Sequence, residues 1–376
     1  MRIDMKKILF VATIFKHFRA FHMPYIEWFK QQGWQVDAMA NGDDPLDNVH
    51  HSYNVPVSRS PFSIANLKAI RQAKEIINRE KYDIVYCHTA MGAVLARLAA
   101  KEARVKYGTK VIYVAHGFHF FKGGPKKSWL MYYPMEKYLS KYTDAIVTIN
   151  EEDYQLVKNN GFRNIDTYKI PGIGINTSRL FETNDAKRKE LREQYGYAQD
   201  AFIMIYIAEY IHRKNHKFII DSVRNLSKQI PTLKVLFAGR GILMDAMKEY
   251  AHDKGVESYI DFLGFRKDIG ELIALSDIGI SASRQEGLGL NLAEEMFAGL
   301  PVVASEDRGH KEIVKDGYNG FMYAQMDHDG FVSAVCKLNR DSELRKQMGE
   351  NAKNYIQQFS LANAMASLTE IYKKYM

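Results

Sequence analysis

The sequence lacks the features of several large protein classes. It has only two cysteines, Cys87 and Cys336, far apart in 376 residues, so we expect free thiols in a reducing cytoplasm and no disulfide framework. No apolar run reaches the roughly 18 residues of a membrane-spanning helix, so none is expected. The first predicted strand begins at Lys6, and we expect no signal peptide before it.

Motifs of other enzyme classes are also missing. The loop after the first strand has no glycine, so the dinucleotide fingerprint G-x-G-x-x-G is absent, which argues against a nicotinamide or flavin enzyme. We find no phosphate-binding P-loop, no nucleophile elbow and no zinc-type spacing. Asp327-His-Asp329 has the letters of a D-x-D metal motif, but it lies in a predicted polar loop, and we interpret it as a surface turn. No metal is therefore predicted.

Positive charge is concentrated in the first half of the chain. The net charge is +8. The first 180 residues carry 26 Lys and Arg against 16 Asp and Glu, whereas the remaining 196 carry 26 against 28. A basic half favours an anionic partner such as a phospholipid surface, a lipid diphosphate or nucleic acid. A solvated basic surface without a partner is the alternative.

Length and patterning predict two α/β domains. A chain of 376 residues is long enough for two domains that each bury a core. Short apolar runs alternate with helical patterns in both halves, which favours parallel sheets flanked by helices. We predict domains at 1–171 and 172–359, joined near the glycine-containing link Pro171–Asn176.

The most informative stretch is Ser281–Ala304. An apolar strand at 277–280 precedes it, a loop with two glycines follows, and a helical pattern then runs over 291–298. Gly299 stands where a helix cap would, and Pro301 opens the next apolar run. The stretch therefore predicts a strand–loop–helix–strand unit.

Two carboxylates frame the loop of this unit. Glu286 lies in the loop, and Glu294 lies in the predicted first turn of the helix. Four backbone N–H groups lie between them, those of Gly287, Leu288, Gly289 and Leu290. Glycines allow close approach and a helix N-terminus offers unpaired donors, so the loop suits a diphosphate, with Glu294 accepting hydrogen bonds from a ribose. The structural alternative is that a helix dipole favours glutamate in a first turn.

Histidines follow two predicted strands of the first half. His17 and His22 lie in the loop after the first strand, and His116 directly follows a later one, with Gly117 and His119 behind it. Ligands of α/β sheets bind at the carboxyl ends of strands. All five residues are therefore candidates for ligand contact, and a purely structural role is the alternative for His17 and His22.

The segment 122–141 mixes lysines with aromatic residues: Trp129, Tyr132, Tyr133 and Tyr138. This composition suits a segment that meets anionic lipid headgroups. An ordinary helix that packs its aromatic residues on the domain core is an equal alternative.

The stretch from Ser283 resembles the E-x7-E signature of retaining family-4 glycosyltransferases, S-x-x-E-G-x6-E followed by a helix and G-x-P-V-V-A. The matching residues are Ser283, Glu286, Gly287, Glu294, Gly299, Pro301, Val302, Val303 and Ala304. The sequence HGFHF…GG over His116–Gly124 looks closest to the branch that builds capsular and extracellular polysaccharides.

The resemblance implies a GT-B fold, in which two doubly wound α/β domains face each other across a cleft and the C-terminal segment 360–376 returns to the first domain. It implies transfer of a sugar from a nucleotide donor, most commonly a UDP-sugar, with retained anomeric configuration. The implied acceptor is a glycan on an undecaprenyl-type lipid diphosphate. No metal or other cofactor and no nucleic acid is implied. The basic first domain would hold the protein on the inner face of the membrane, on the cytoplasmic side.

The resemblance also suggests roles for individual residues. Lys214 matches a lysine that binds the donor phosphates as a point charge. The arginine usually found five positions earlier is Glu209 here, which leaves open whether Arg213, Arg240 or neither supplies the second cation. The turn expected to contact the base consists of Gly264, Phe265 and Arg266.

Three residues would then surround the transferred sugar: Glu286 orients it, Glu294 binds the ribose, and His116 contacts the sugar or the acceptor. The unusual Glu209 keeps a second hypothesis open, a partner subunit that binds a nucleotide sugar without turnover. A nucleotide-sugar epimerase would need a pair of water-activating residues, which we do not find.

Overall fold

A computed structural model describes residues 5–163, 166–175, 177–178, 180 and 184–376. The chain divides into two units, unit 1 (Met1–Gly174 with Ala362–Met376) and unit 2 (Ile175–Leu361). The sequence placed the divisions at 171/172 and 359/360. Asn176 of the predicted link lies outside the described residues.

Unit 1 contains a parallel sheet in the order β3-β2-β1-β4-β5-β6-β7. Its strands are β1 (Lys7–Ile14), β2 (Gln35–Asn41), β3 (His51–Asn54), β4 (Ile84–His88), β5 (Lys110–Ala115), β6 (Ala145–Thr148) and β7 (Asp166–Lys169). The chain runs outward from β1 in one direction and from β4 in the other. The carboxyl ends of β1 and β4 therefore form the switch point of a doubly wound sheet, where ligands bind in such folds.

Seven helices of unit 1 precede or connect these strands in the described residues. They are α1 (Phe15–Phe21), α2 (Met23–Gln31), α3 (Ala65–Glu80), α4 (Ala90–Ala99), α5 (Lys101–Tyr107), α6 (Lys126–Leu139) and α7 (Glu151–Asn159). The predicted loop that carries His17 and His22 is corrected, because β1 continues to Ile14 and α1 follows it directly. Phe15 and Phe18 on α1 are buried. Their apolar packing stabilises this short helix, which has no side-chain hydrogen bond at its N-cap.

Side chains of β1 alternate between the two faces of the sheet, and both faces contribute to the core of unit 1. Leu9 and Val11 belong to an apolar cluster with α3 and α4. Phe10 points the other way, since successive strand residues face opposite sides. Its ring centroid lies 6.0 Å from that of Phe29 and 5.2 Å from that of Tyr86. The strand is therefore buried on both faces, as parallel sheets require.

Helix α6 packs mainly on the core of unit 1. Trp129, Tyr132 and Tyr133 are partly buried against the apolar cluster, whereas Tyr138 is 51% exposed. This favours ordinary helix packing for three of the four aromatic residues singled out in the segment 122–141.

Unit 2 contains a second parallel sheet, in the order β10-β9-β8-β11-β12-β13. Its strands are β8 (Phe202–Ile207), β9 (Leu233–Ala238), β10 (Ile260–Gly264), β11 (Ile278–Ser281), β12 (Val302–Ser305) and β13 (Gly320–Tyr323). The strand order reverses between β8 and β11, which creates the switch point of this sheet. Two doubly wound α/β units are thus confirmed.

The remaining helices precede or follow the strands of unit 2 or end the chain. They are α8 (Asp185–Tyr195), α9 (His216–Gln229), α10 (Met244–Asp253), α11 (Ile269–Leu275), α12 (Leu290–Phe297), α13 (Arg308–Ile313), α14 (His328–Arg340), α15 (Ser342–Ile356) and α16 (Leu361–Lys373). The surface-turn interpretation of Asp327-His-Asp329 is corrected. Asp327 is the N-cap of α14, and its Oδ1 accepts a hydrogen bond from Gly330 N at 2.9 Å, which is the usual use of aspartate at a helix start.

The last residues of the chain belong to unit 1. Tyr372 Oη donates to Tyr86 Oη at 2.7 Å, and Tyr375 Oη donates to an Asp166 carboxylate oxygen at 2.5 Å.

Both cysteines are buried free thiols. None of the described helices is long and apolar enough to cross a membrane.

Candidate functional site

Lys214 and Glu286 meet at the switch point of the unit 2 sheet. Lys214 follows β8, and Glu286 follows its neighbour β11. Lys214 Nζ lies 2.6 Å from Glu286 Oε1, and Arg213 Nη1 lies 3.3 Å from the same oxygen. Fold topology thus brings two neighbouring predicted site residues, Arg213 and Lys214, together with a third, Glu286, that lies 73 and 72 positions later in the sequence.

The two cations keep Glu286 ionised although it is only 9% exposed. Burial is the largest influence and favours the neutral acid, but the charges of Lys214 and Arg213 together hold the pKa of Glu286 below its ordinary value. Two cations face one carboxylate here. Their excess positive charge suits an anionic ligand such as a diphosphate, and Arg213 is the second cation beside this carboxylate.

Hydrogen bonds fix the positions of these cations. Buried Tyr206 donates from its hydroxyl to Lys214 O at 2.6 Å, and its oxygen lies 3.0 Å from Ser283 Oγ. Arg284 N donates to Arg213 O at 2.9 Å. The segments after β8 and β11 are therefore tied together. The sequence did not point to Tyr206, because this residue lies within an apolar strand and resembles an ordinary core residue.

The start of α13 supports the loop that carries Glu286. Asp307 Oδ1 accepts from Glu286 N at 3.0 Å and from Gly309 N at 2.7 Å. A Cβ on Gly309 would lie 2.7 Å from Leu288 N, so only glycine allows this close approach. Helix α13 begins at Arg308, because Asp307 caps it.

The predicted place of Glu294 in a first helical turn is wrong. Helix α12 begins at Leu290, after Gly289 with φ +90°, and Glu294 is its fifth residue. The helix-dipole explanation applies to a first turn, so it no longer accounts for this glutamate. The next residue, Glu295, is fully buried, and burial raises its pKa well above the ordinary value. Burial therefore favours the protonated form of Glu295.

The predicted base-binding turn ends β10. Gly264 has φ +66°, and Phe265 is 63% exposed. The Arg240 guanidinium, which follows β9, lies 5.1 Å from the Phe265 ring centroid. Arg266 donates to Asp268 Oδ1 at 2.8 Å, so its charge is partly neutralised. Arg240 and Phe265 are thus paired, and a flat exposed ring beside a cation is a surface on which a base can stack.

Unit 1 brings together three of the predicted histidines and adds His88, the last residue of β4. His22 Nε2 lies 3.1 Å from His17 Nε2, and His116 Nε2 lies 3.4 Å from His88 Nδ1. The ring centroids of His22 and His88 are 3.8 Å apart. His88 was missed, although it ends a strand and could have been found by the reasoning that selected His116.

Burial makes these four histidines neutral. It lowers the pKa of His22, His88 and His116 well below the ordinary value and that of His17 to about 4. His119 does not join them: it is exposed, and its ring centroid lies 4.9 Å from that of Tyr132. The other candidate in this turn, Gly117, has φ +111°, a conformation that glycine adopts readily.

Comparison with known families and proteins matches both units. The family described as glycosyl transferase 4-like covers residues 7–150, and the family described as glycosyl transferases group 1 covers residues 187–355. EpsD of Bacillus subtilis (strain 168), which is named as a glycosyltransferase, is 45% identical over 99% of this chain and 97% of its own length.

More distant relatives agree with these matches. UDP-Gal:alpha-D-GlcNAc-diphosphoundecaprenol alpha-1,3-galactosyltransferase of Escherichia coli is 26% identical over 88% of this chain and 85% of its own. The solved structure of Anabaena HepE in complex with UDP and glucose superimposes with a TM-score of 0.78, at 20% identity, over 98% of this chain and 100% of that one. Because the two sheets, the family matches and the 45% identical relative all agree, the chain belongs to the family-4 glycosyltransferases of the GT-B fold.

Proposed function

We propose that this protein transfers a hexosyl or N-acetylhexosaminyl group from a UDP-sugar to a lipid-linked glycan in the synthesis of a surface polysaccharide. The observation that carries the proposal is the pair of cations, Lys214 and Arg213, on the buried carboxylate of Glu286 at the switch point of unit 2. The names of EpsD and of the galactosyltransferase, together with the UDP bound to HepE, support the choice of donor and acceptor class.

Each part of the donor has a proposed partner in unit 2. The loop N–H groups of residues 287–290 and the two cations bind the diphosphate. Glu286 orients the sugar, and Glu294 accepts hydrogen bonds from the ribose. The turn at 264–266 contacts the base, with Arg240 beside Phe265.

The proposed chemistry is electrostatic. The bond between the anomeric carbon and the diphosphate oxygen breaks, a bond to an acceptor oxygen forms, and the departing phosphate takes the acceptor proton. Charge grows on the diphosphate as it leaves, and preorganised cations stabilise such charge strongly. Lys214 and Arg213 supply that stabilisation without a metal at the diphosphate. We propose retention of anomeric configuration on the strength of the E-x7-E resemblance.

Replacing Glu286 with alanine tests the proposed reaction. We expect the wild-type protein to release nucleotide from one member of a panel of UDP-, GDP- and ADP-sugars, faster when a lipid-linked acceptor is added. We expect Glu286→Ala to lower that stimulated release at least about 100-fold, because the sugar loses the group that orients it. Glu306→Ala, an exposed glutamate nearby in the chain, is the matched control. Donor binding by calorimetry without turnover on any acceptor would instead favour a non-catalytic partner subunit.

We further propose that the basic unit 1 holds the protein peripherally on an anionic membrane surface, at the inner face of the membrane. Gly117 and His119 would then contribute to acceptor binding in the same unit. The excess of Lys and Arg in the first 180 residues supports the proposal.

Binding to vesicles tests the membrane proposal. We expect co-sedimentation with vesicles that contain phosphatidylglycerol at low salt and its loss as salt rises, because a Debye length of about 10 Å at 0.1 M screens surface charge. Vesicles of phosphatidylcholine alone are the control. Binding that is insensitive to salt, or absent at low salt, would contradict the proposal.

A further inference from the structure

Four histidines from three segments converge at the switch point of the unit 1 sheet. His17 and His22 come from α1 and the residue after it, His88 ends β4, and His116 follows β5. Each offers one ring nitrogen, and these four nitrogens all lie within 4.8 Å of one another. We propose that His17, His22, His88 and His116 bind one zinc ion.

The separations between the nitrogens suit such an ion. Zinc–nitrogen bonds of about 2.0–2.1 Å in a tetrahedral site put neighbouring ligand nitrogens about 3.3–3.4 Å apart. The nitrogens of His22 and His17 are 3.1 Å apart, and those of His116 and His88 are 3.4 Å apart. Two pairs therefore already have the required spacing. The other pairs lie no more than 4.8 Å apart and would close further when the ion binds.

The chemistry of the donors selects the ion. Neutral imidazole suits zinc and its first-row neighbours, whereas magnesium and calcium prefer oxygen ligands. His22 and His88 are 1% and 0% exposed. His22 Nε2 and His88 Nδ1 each face another imidazole nitrogen, that of His17 and that of His116. Clustering four imidazoles without a strong partner for these nitrogens is unfavourable, and an ion that accepts their lone pairs would offset this cost.

The proposed ion would act as a structural centre. Four protein ligands complete a tetrahedral sphere and leave no open position for substrate. The ion would join α1 to the ends of β4 and β5 within unit 1. It takes no part in stabilising the diphosphate, which is assigned to unit 2, so the zinc proposal does not depend on the proposed function. Zinc-type sequence spacing could not reveal it, because ligands from three strand ends are distant in the chain.

Metal content and cobalt spectroscopy test the site in the full chain. We expect chelator-treated wild-type protein to retain about one zinc per chain after incubation with zinc sulfate and gel filtration. We expect cobalt chloride to give the intense visible absorption of a tetrahedral site, and the melting temperature to rise with zinc but not with magnesium. His17→Gln and His116→Gln, at the two partly exposed positions, should each weaken zinc binding at least about 10- to 100-fold, the range seen on loss of even an outer-shell partner.

A matched control separates this site from adventitious binding. His252 is 76% exposed and belongs to unit 2, so His252→Ala should bind zinc as the wild type does. Absence of both zinc retention and the cobalt spectrum in wild-type protein would overturn the proposal. Unchanged zinc affinity in a folded His17→Gln/His116→Gln double variant would place the ion elsewhere and overturn it equally.

Discussion

Replacing Lys214 with methionine is expected to lower the rate of sugar transfer by about 10²- to 10³-fold. Methionine keeps much of the side-chain volume but removes the charge 2.6 Å from Glu286. In the proposed reaction that charge stabilises the departing diphosphate, and loss of one preorganised donor to a developing anion costs about 2.7–4 kcal/mol of transition-state stabilisation. Single-turnover rates with a saturating donor sugar measure the effect.

The pH dependence of the same variant separates this role from simple misfolding. Lys214 is a leading cause of the lowered pKa of Glu286. Its removal lets burial raise that pKa, so the ionised carboxylate is lost at a higher pH as acidity increases. We therefore expect the acid limb of the rate profile of Lys214→Met to shift towards higher pH. A variant that only misfolds would lower the rate without moving the limb.

A nearby lysine provides the control for Lys214. Lys217 is 54% exposed and pairs with Asp221 at 2.7 Å on the surface of α9. Lys217→Met should therefore retain transfer activity within about twofold, since exposed ion pairs contribute little. Equal losses in Lys214→Met and Lys217→Met, or a Lys214→Met rate within tenfold of the wild type, would contradict the proposed role.

Replacing Glu136 with alanine is expected to destabilise unit 1 by about 3–5 kcal/mol, the range for breaking a buried ion pair. Glu136 on α6 accepts from Arg97 Nη1 on α4 at 2.7 Å, and the two side chains are 4% and 0% exposed. Arg97 also lies 4.5 Å from the centroid of the Tyr113 ring. Without Glu136 a buried guanidinium would lose its counter-charge. Urea unfolding, followed by circular dichroism and by the fluorescence of the three tryptophans, which all lie in unit 1, measures the change.

Two further variants define what the ion pair contributes. Glu27→Ala removes a surface pair with Lys30 at 3.4 Å and should cost no more than about 1 kcal/mol. The double variant Arg97→Met/Glu136→Leu should recover much of the loss, because apolar residues of similar volume replace buried ion pairs well. A Glu136→Ala variant as stable as Glu27→Ala would contradict the prediction.

Much of the fold was predictable because local pattern and local structure agree. The strands Lys110–Ala115 and Leu233–Ala238 lie on two of the short apolar runs that predicted parallel sheets, since apolar runs between helical patterns are typical of buried parallel strands. The predictions failed where packing overrides local signals. Helix α1 has no side-chain cap and is held by its buried phenylalanines. Strand β3 (His51–Asn54) is short and polar, so nothing in its sequence distinguishes it from a loop.

The candidate site, like the fold, was predictable from the sequence only in part. The E-x7-E stretch, Lys214 and Arg213 were selected from the sequence, but their meeting at one carboxylate depends on β8 and β11 being neighbours. No periodicity encodes that adjacency. Asp307, which holds the loop by accepting from Glu286 N, was invisible for the same reason.

The sequence by itself determined two α/β units, a family and most of the candidate residues for donor binding, because these follow from periodicity and from a contiguous motif. Only the tertiary structure decided that two cations share Glu286 and that His88 completes a cluster with His17, His22 and His116. Both arrangements arise at the point where strand order reverses. Side chains from distant strand ends meet there, and their proximity is a property of sheet topology rather than of any local stretch of sequence.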